Sequence, residues 1–511
     1  MLRLEHDLFP PTQSPASSVR DFPLSYAQQR LWLIDQVQGT QAVVVRLQGL
    51  LNAEALERSL REVISRHEVL RTTFPLSSNG EPVQRVSSDI PFALEIADLR
   101  NLGPTIREER AWQYIDAAVR CRFDLEHGPL VRSLLVQQSD DEQLLLLMLH
   151  EMVCDRRSVE ILSRELSQLY AAYNGFGPSP LPLLSTQFAD FAVSQRSVNQ
   201  QSGNGQQIGA AASRPSLSYW KRNLAGNLPV LELPTDQPRP PARSFRRAVE
   251  RFSLPLELKA SLEQRGASQG ATLFMTLLAA FKTVLWRYTG QTDMIVGSPV
   301  DARSGAANAN LIGQFTNLLA LRTDLAGNPT FRDLLDRVRV TTLLGYKHQD
   351  CPFEQVLAEL KNTHPASHSP VFQVLFELTS AAAAPLQLAG LQVQACELEG
   401  GRTQFDLGMV VTDSASGLQG QLEYNSELFS AGQMTRLVGH FETLLAAVAR
   451  SLDQRLSELP LLTPSESRQL LVDWNASQAD FPRESCIHEL FEAHALRTPD
   501  AVALIADNEG C

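Results

Sequence analysis

Residues 144 to 149 form an unbroken apolar run, Leu144-Leu145-Leu146-Leu147-Met148-Leu149. It stops abruptly at His150-Glu151-Met152-Val153-Cys154-Asp155-Arg156-Arg157-Ser158. A short apolar run without polar alternation predicts a strand buried on both faces. Just beyond, Val159, Leu162, Leu166 and Leu169 fall on one face of a helix. The ionisable cluster is therefore expected on a strand-to-helix turn, with helix-terminal N–H groups pointing toward it. Such a junction requires a layered fold of sheets and helices, and it places reactive side chains at a strand end.

The rest of the chain follows the same pattern. Asn52 is positioned to cap a helix whose Leu56, Leu60, Val63 and Ile64 share a face. Residues Ala271–Tyr288 predict an apolar helix stopped at Gly290, followed by a short strand at Met294-Ile295-Val296. Further helices are expected at 329–346, 352–361 and 431–450. Residues 1–21 read as a loose leader. Residues 197–216, rich in Gln, Ser, Gly and Ala, read as a flexible linker between a first lobe (22–196) and a second lobe (217–452). Strand–helix alternation in both halves favours an α/β architecture of two lobes. After residue 452 the character changes. Residues 453–511 read as a linker and the start of another domain.

Bulk properties exclude several functions. The formal net charge of -12 over 511 residues argues against non-specific nucleic-acid binding and against docking on an anionic membrane. No run approaches the roughly 18 apolar residues of a membrane span. The six cysteines show no paired spacing, which fits a reducing cytoplasm better than a disulfide framework.

Several segments resemble, in order, the motifs of nonribosomal peptide synthetase condensation domains. Pro23-Leu24-Ser25-Tyr26-Ala27-Gln28-Gln29-Arg30-Leu31-Trp32 is similar to the opening motif, and Arg66-His67-Glu68-Val69-Leu70-Arg71-Thr72-Thr73-Phe74 to the second. Phe188-Ala189-Asp190-Phe191 resembles the fourth and Ile312-Gly313-Gln314-Phe315-Thr316-Asn317 the fifth. His348-Gln349-Asp350-Cys351-Pro352-Phe353 and Ser369-Pro370-Val371-Phe372-Gln373 resemble the last two. The resemblance spans about residues 22–450. It implies two chloramphenicol-acetyltransferase-like lobes in a V-shaped pseudo-dimer with a tunnel between them. It also implies acyl transfer from a carrier-bound thioester donor to a carrier-bound aminoacyl acceptor, forming an amide in secondary-metabolite biosynthesis. Donor and acceptor carrier domains would be the partners, their phosphopantetheine arms bringing the substrates, with no cofactor bound by the chain itself. Residues 453–511 resemble the linker and first residues of a downstream adenylation domain. They contain no Gly-rich phosphate loop.

The family's third motif reads His-His-x-x-x-Asp-Gly. Here it is His150-Glu151-x-x-x-Asp155-Arg156, with Glu151 where the second His stands and Arg156 where the Gly stands. The second His handles the attacking amine. A carboxylate there accepts a hydrogen bond and carries negative charge opposite a cation, and burial raises its basicity. Gly serves a special backbone angle or a close substrate approach, so Arg156 is expected to pair with Glu151 or to narrow the tunnel. Asp155 is expected to salt-bridge Arg303 of the other lobe and fix the turn, and His150 is a catalytic candidate beside Glu151, with stabilising the turn as its alternative. Ser298, Asn317 and Ser369 are candidate tunnel-lining groups, with ordinary packing as their alternative. Gly297–Val300 is expected to be a loop closing the tunnel floor, and 403–429 the crossover that latches the lobes. The segment 35–45 is shorter than the family's. A zinc site is excluded because His150-Glu151 meets Cys154, not His, at the next helical position. Cys154 itself reads as an inert buried thiol. Two readings remain: an acyltransferase in which Glu151 replaces the second His, or an inactive condensation-fold scaffold that docks carrier domains or recruits an enzyme acting in trans.

Overall fold

The computed structural model describes residues 19–33, 39–88, 92–200, 210–241, 246–360, 368–380, 386–396, 398, 403–478, 485–502, 505–506 and 509–510. The chain divides into two compact units, Met1–Leu461 and Leu462–Cys511.

The first unit contains two large sheets, one per lobe. The first-lobe sheet is built from β2 (Thr40–Gln48), β5 (Glu95–Asp98), β6 (Val131–Gln137) and β7 (Glu142–His150). The apolar run lies in β7, paired antiparallel to β2 on one side and β6 on the other. Leu144, Leu145 and Leu146 are wholly buried, worth about 1.5–3 kcal/mol each on burial. Two helices cover this sheet, α2 (Ala53–Arg66) and α4 (Arg156–Asn174), and they pack against each other. Asn52 caps α2 as expected, accepting from Ala55 N at 3.0 Å.

The second-lobe sheet runs in the order β10 (Thr316–Asp324), β9 (Asp293–Asp301), β11 (Val374–Ser380), β13 (Leu407–Ser414), β14 (Gly417–Asn425), β8 (Arg247–Pro255). Its central helix, α8 (Leu273–Thr289), is buried at every position from Met275 to Leu285, and Gly290 ends it in the left-handed conformation at φ 70°. A helix apolar on all sides must sit inside the domain. Its one buried cation, Lys282, bonds to Leu321 O (2.6 Å) and Thr323 Oγ1 (2.8 Å).

The lobes are joined by strand exchange. Strand β12 (Gln392–Cys396) comes from the second half of the chain but pairs antiparallel with β2, from Gln392↔Gln48 to Cys396↔Val44. Leu311, Ile312, Phe315, Leu386 and Leu388 likewise enter the first-lobe core. This corrects the expectation that 403–429 makes the crossover. Most of that segment is the β13–β14 hairpin inside the second sheet, where Met409, Val411 and Leu422 are buried core residues.

Other expectations change too. Residues 19–21 of the expected leader are strand, because β1 (Val19–Pro23) pairs with β4 (Val83–Ser87), and residues 1–18 lie outside the described residues. Of the expected linker, residues 197–200 end helix α5 (Phe188–Gln200) and residues 210–216 begin helix α6 (Ala210–Asn223). Polar composition did not preclude a helix there, because α6 is pinned by Ser216 Oγ to Asp350 (2.8 Å) and Trp220 Nε1 to His348 O (2.9 Å). Residues 201–209 lie outside the described residues, as do 34–38 of the shortened segment. Gly297–Val300 is strand, not loop. It pairs with β10, and Pro299 stands opposite Leu318. Among the described residues no helix is long and apolar enough to cross a membrane.

Candidate active site at the lobe seam

The turn between β7 and α4 is held from within and from three neighbouring segments. His150 N donates to Leu130 O (3.0 Å), and Val153 N closes on His150 O (3.0 Å). His150 Nδ1 accepts from Met152 N at 3.1 Å, which places the ring proton on Nε2. Burial, reinforced by the nearby Arg132 charge, pushes the imidazole down to about 4, so it is neutral. His150 is thus a turn-holding group, packed edge-to-face with Phe123. From helix α1 (Tyr26–Leu33), Gln28 Nε2 donates to Met152 O at 3.0 Å. From the second lobe, Gln314 Nε2 donates to Glu151 O at 3.1 Å.

Asp155 is the helix N-cap and the clasp between the lobes. Its Oδ1 accepts from Ser158 N (2.8 Å), Ser158 Oγ (2.7 Å) and Arg303 Nη2 (2.7 Å). Its Oδ2 accepts from Arg303 Nη1 (2.8 Å) and Phe315 N (3.0 Å). Arg303 also donates to Leu311 O (3.1 Å) and Gly313 O (3.3 Å) and lies over the Phe315 ring. The Asp155–Arg303 pairing expected from the resemblance is present, with both side chains almost wholly buried.

Glu151 occupies a built cradle. Gln41 Nε2 on β2 donates to its Oε1 at 3.3 Å, and Gln404 Nε2 from the second lobe donates to its Oε2 at 3.0 Å. Its backbone N donates to Gly39 O at 3.0 Å. A Cβ at Gly39 would stand 2.0 Å from Oε2, so that glycine makes room for the carboxylate. Protein surrounds the carboxylate densely, yet the residue keeps part of its surface accessible. Burial raises the carboxyl above the ordinary range. The hydrogen bond from Gln41, the positive charge of Arg30 and the hydrogen bond from Gln404 oppose that rise, while the negative charge of Glu423 adds to it.

Arg156 does not pair with Glu151. It is the first residue of α4, exposed, and its Nη2 donates to Thr379 Oγ1 at 2.9 Å across the seam. Its φ is not positive, so no special backbone angle calls for glycine here. Its side chain turns toward β11, where its charge opposes the burial that raises Glu377. There it lines a cavity of about 290 Å³ with Arg157, Glu160 and Glu377. A larger cavity of about 750 Å³ is lined from the first lobe by Phe191 and Gln195 and from the second by Arg303, Asn317 and Asp350.

Asn317 faces that cavity but is also structural. Its Nδ2 donates to Gln349 O (2.8 Å) and Cys351 O (2.9 Å), and its Oδ1 accepts from Phe353 N (2.9 Å). Ser298 is buried in β9, and buried Ser369 offers its carbonyl to Gln373 Nε2. Burial raises the Cys154 thiol well above its ordinary value, which makes it a poor nucleophile. Among the described residues no group of three or more His, Cys, Asp or Glu side chains is placed to hold a metal ion. Sequence reasoning missed Gly39, Gln41 and Gln404. It also missed the pair of Arg30 Nη1 with Glu354 Oε1 (3.1 Å), which ties the opening motif to the segment 348–356.

A family profile described as "Condensation domain" matches residues 19–471. The chain belongs to the condensation-domain family. This condensation domain is 38% identical over 505 residues to chondramide synthase cmdD of Chondromyces crocatus, and 38% identical over 501 residues to malpinin synthetase of Mortierella alpina. Those alignments cover 98% and 97% of the chain but only 13% and 6% of the two relatives. Among solved structures it is similar to the X-domain from teicoplanin biosynthesis, with TM-score 0.78, 26% identity, and 88% and 99% of the two chains covered. The same X-domain in complex with OxyB gives TM-score 0.75 at 26% identity, covering 89% and 100%. The condensation domain has the expected V-shaped pairing of two chloramphenicol-acetyltransferase-like lobes.

Proposed function

We propose that this condensation domain is an acyltransferase that forms an amide between two carrier-bound substrates, with Glu151 acting on the attacking amine. The cradle carries this reading: a glycine gap and one carboxamide from each lobe are fitted to a carboxylate that replaces an imidazole. A side chain left by drift has no reason to be served from both lobes. The aminoacyl nitrogen attacks the thioester carbonyl carbon, the C–N bond forms and the C–S bond breaks. Glu151 accepts the first proton that the ammonium gives up and passes it to solvent, while the second, lost from nitrogen once the C–N bond has formed, leaves with the thiolate of the donor arm as a thiol. A carboxylate raised toward working pH is a better base for this step than an ordinary one. Both substrates arrive on phosphopantetheine arms of carrier domains. His150, Asp155 and Arg303 hold the geometry, and Asn317 borders the seam cavity.

The test is reconstitution with an acyl-carrier and an aminoacyl-carrier protein, read by intact-protein mass. Glu151→Gln is expected to slow amide formation by about 10²-fold or more, the usual range for a general base. Undiminished turnover would remove Glu151 from the chemistry.

A second reading is favoured by Arg156, whose engagement at Thr379 spans the seam, and by the likeness to an X-domain solved in complex with OxyB. In it the chain is an inactive scaffold that docks carriers or recruits an enzyme in trans. Robust wild-type condensation eliminates this reading. Absence of any gain from Glu151→His with Arg156→Gly supports it.

We also read residues 453–511 as the linker and first elements of an adenylation domain, with 453–461 belonging to the first compact unit. The alignments with the two synthetases run past residue 471, the end of the family match. The unpaired cysteines among the described residues fit a reducing cytoplasm.

A further inference from the structure

We infer that Gln41 and Gln404 are positioning residues, a carboxamide clamp with one arm on each lobe that holds the Glu151 carboxylate ionised and open to a substrate ammonium. The inference rests on the reading of Glu151 as the amine-facing group. Each carboxylate oxygen accepts about two hydrogen bonds, and each receives one clamp donor, at 3.3 Å on Oε1 and 3.0 Å on Oε2. A lone pair on each oxygen stays available. The nearby cations are engaged elsewhere: Arg30 with Glu354, and Arg156 with Thr379. The carboxylate is therefore stabilised by direct hydrogen bonds from two neutral dipoles and at longer range by the charge of Arg30, and it is not closed in a salt bridge. A carboxamide donates without taking the charge, so an incoming ammonium meets an unneutralised anion. That arrangement favours a primary amine over an alcohol as acceptor, because only the amine arrives as a cation.

The groups that set the proton affinity of Glu151 come from several elements. Arg30 stands on α1 and Glu423 on β14, and Cys154 lies in the same turn. Glu423 is itself paired with Arg247 at 2.5 Å. Against this fixed background the two carboxamides are the only direct hydrogen-bond donors to the carboxylate among the described residues. Gln404 belongs to the second lobe, so the clamp is complete only when the lobes are seated as they are here.

The test is the infrared difference spectrum of wild type minus Glu151→Gln, titrated from acid to mildly basic pH to follow the protonated carboxyl band. Gln404→Met removes one donor with little change in volume. It is expected to raise the titration midpoint by about one pH unit, a tenfold tighter proton. Gln41→Met should act in the same direction, and the double variant further. A melting profile confirms that each variant is folded. A folded Gln404→Met and a folded Gln41→Met that both titrate like wild type would overturn the clamp. In the reconstituted reaction, the rising limb of the pH–rate profile should move alkaline by the same amount, a shift that a merely structural role would not produce. Failure of wild type to condense at all would sink the proposed function while the infrared titration still decided the clamp.

Discussion

Replacing Asp155 by Asn removes one charge while keeping nearly the same shape. The retained Oδ1 still caps α4 through Ser158 N, but the new Nδ2 faces Arg303 Nη1 and Phe315 N, so three donors converge where one acceptor stood. Breaking a buried ion pair by removing one partner costs about 3–5 kcal/mol. Arg303 keeps Asp301 (2.9 Å), Leu311 O and Gly313 O, which puts the expected cost near the lower end, about 3 kcal/mol. Asp155→Ala also loses the cap, adding about 1 kcal/mol. With an unfolding entropy of about 2.1 cal/mol/K per residue over a cooperative unit of roughly 440 residues, 3 kcal/mol lowers the melting temperature by about 3 °C. The assay is thermal unfolding of wild type, Asp155→Asn, Arg303→Leu and the double variant. Arg303→Leu strands a buried carboxylate, so the double variant should be much less damaged than the sum of the singles. Additivity within about 0.5 kcal/mol would refute the view that this pair clasps the lobes.

Three further outcomes are expected. Gly39→Ala should fold normally, within about 0.5 kcal/mol of wild type, because the clash falls on the flexible end of Glu151. Its condensation rate should nevertheless drop as far as that of Glu151→Gln, and a wild-type rate would show that the carboxylate's seat does not matter. The folded His150 ring titrates near 4, below its ordinary 6.5, so the unfolded chain binds the proton first. Its contribution is complete above 6.5 and is lost as pH falls toward 4, costing up to about 3 kcal/mol. His150→Gln should flatten that acid limb in pH-dependent urea unfolding. Lys282 titrates near 7 when folded, against 10.5 ordinarily. Here too the unfolded chain binds the extra proton, so stability should rise with pH between those values and Lys282→Met should abolish the rise.

Much of this architecture was legible because it depends on local pattern. Leu144–Leu149 has the composition of a central strand, Asn52 is a cap by side-chain chemistry, and Gly290 stops a helix by backbone freedom. The Asp155–Arg303 pair was reachable through the resemblance, which placed both residues at the seam. The cradle was not. Gly39, Gln41 and Gln404 are ordinary residues in their own segments, and only the pairing of β2 with β7 and the docking of the second lobe bring them to Glu151. That Arg156 would not pair with Glu151 was not legible, because a side chain's direction depends on the helix start it leaves from, and that start aims it at Thr379. Residues 197–200 and 210–216 were misread because polar composition does not forbid a helix whose few anchors, such as Ser216 and Trp220, find distant partners.

The donation of β12 to the first-lobe sheet has a consequence for synthesis. Strand β2 can pair with β7 early, but its other edge stays open until Gln392–Cys396 emerges, roughly 350 residues later. At about 5–20 residues per second that interval lasts roughly 20 to 70 s. Throughout it an edge of sequence Thr-Gln-Ala-Val-Val-Val-Arg-Leu-Gln presents unpaired N–H and C=O groups, a template for wrong partners. The first lobe is therefore unsuited to life as a separate fragment, and its exposed edge during translation is where a chaperone would be needed most.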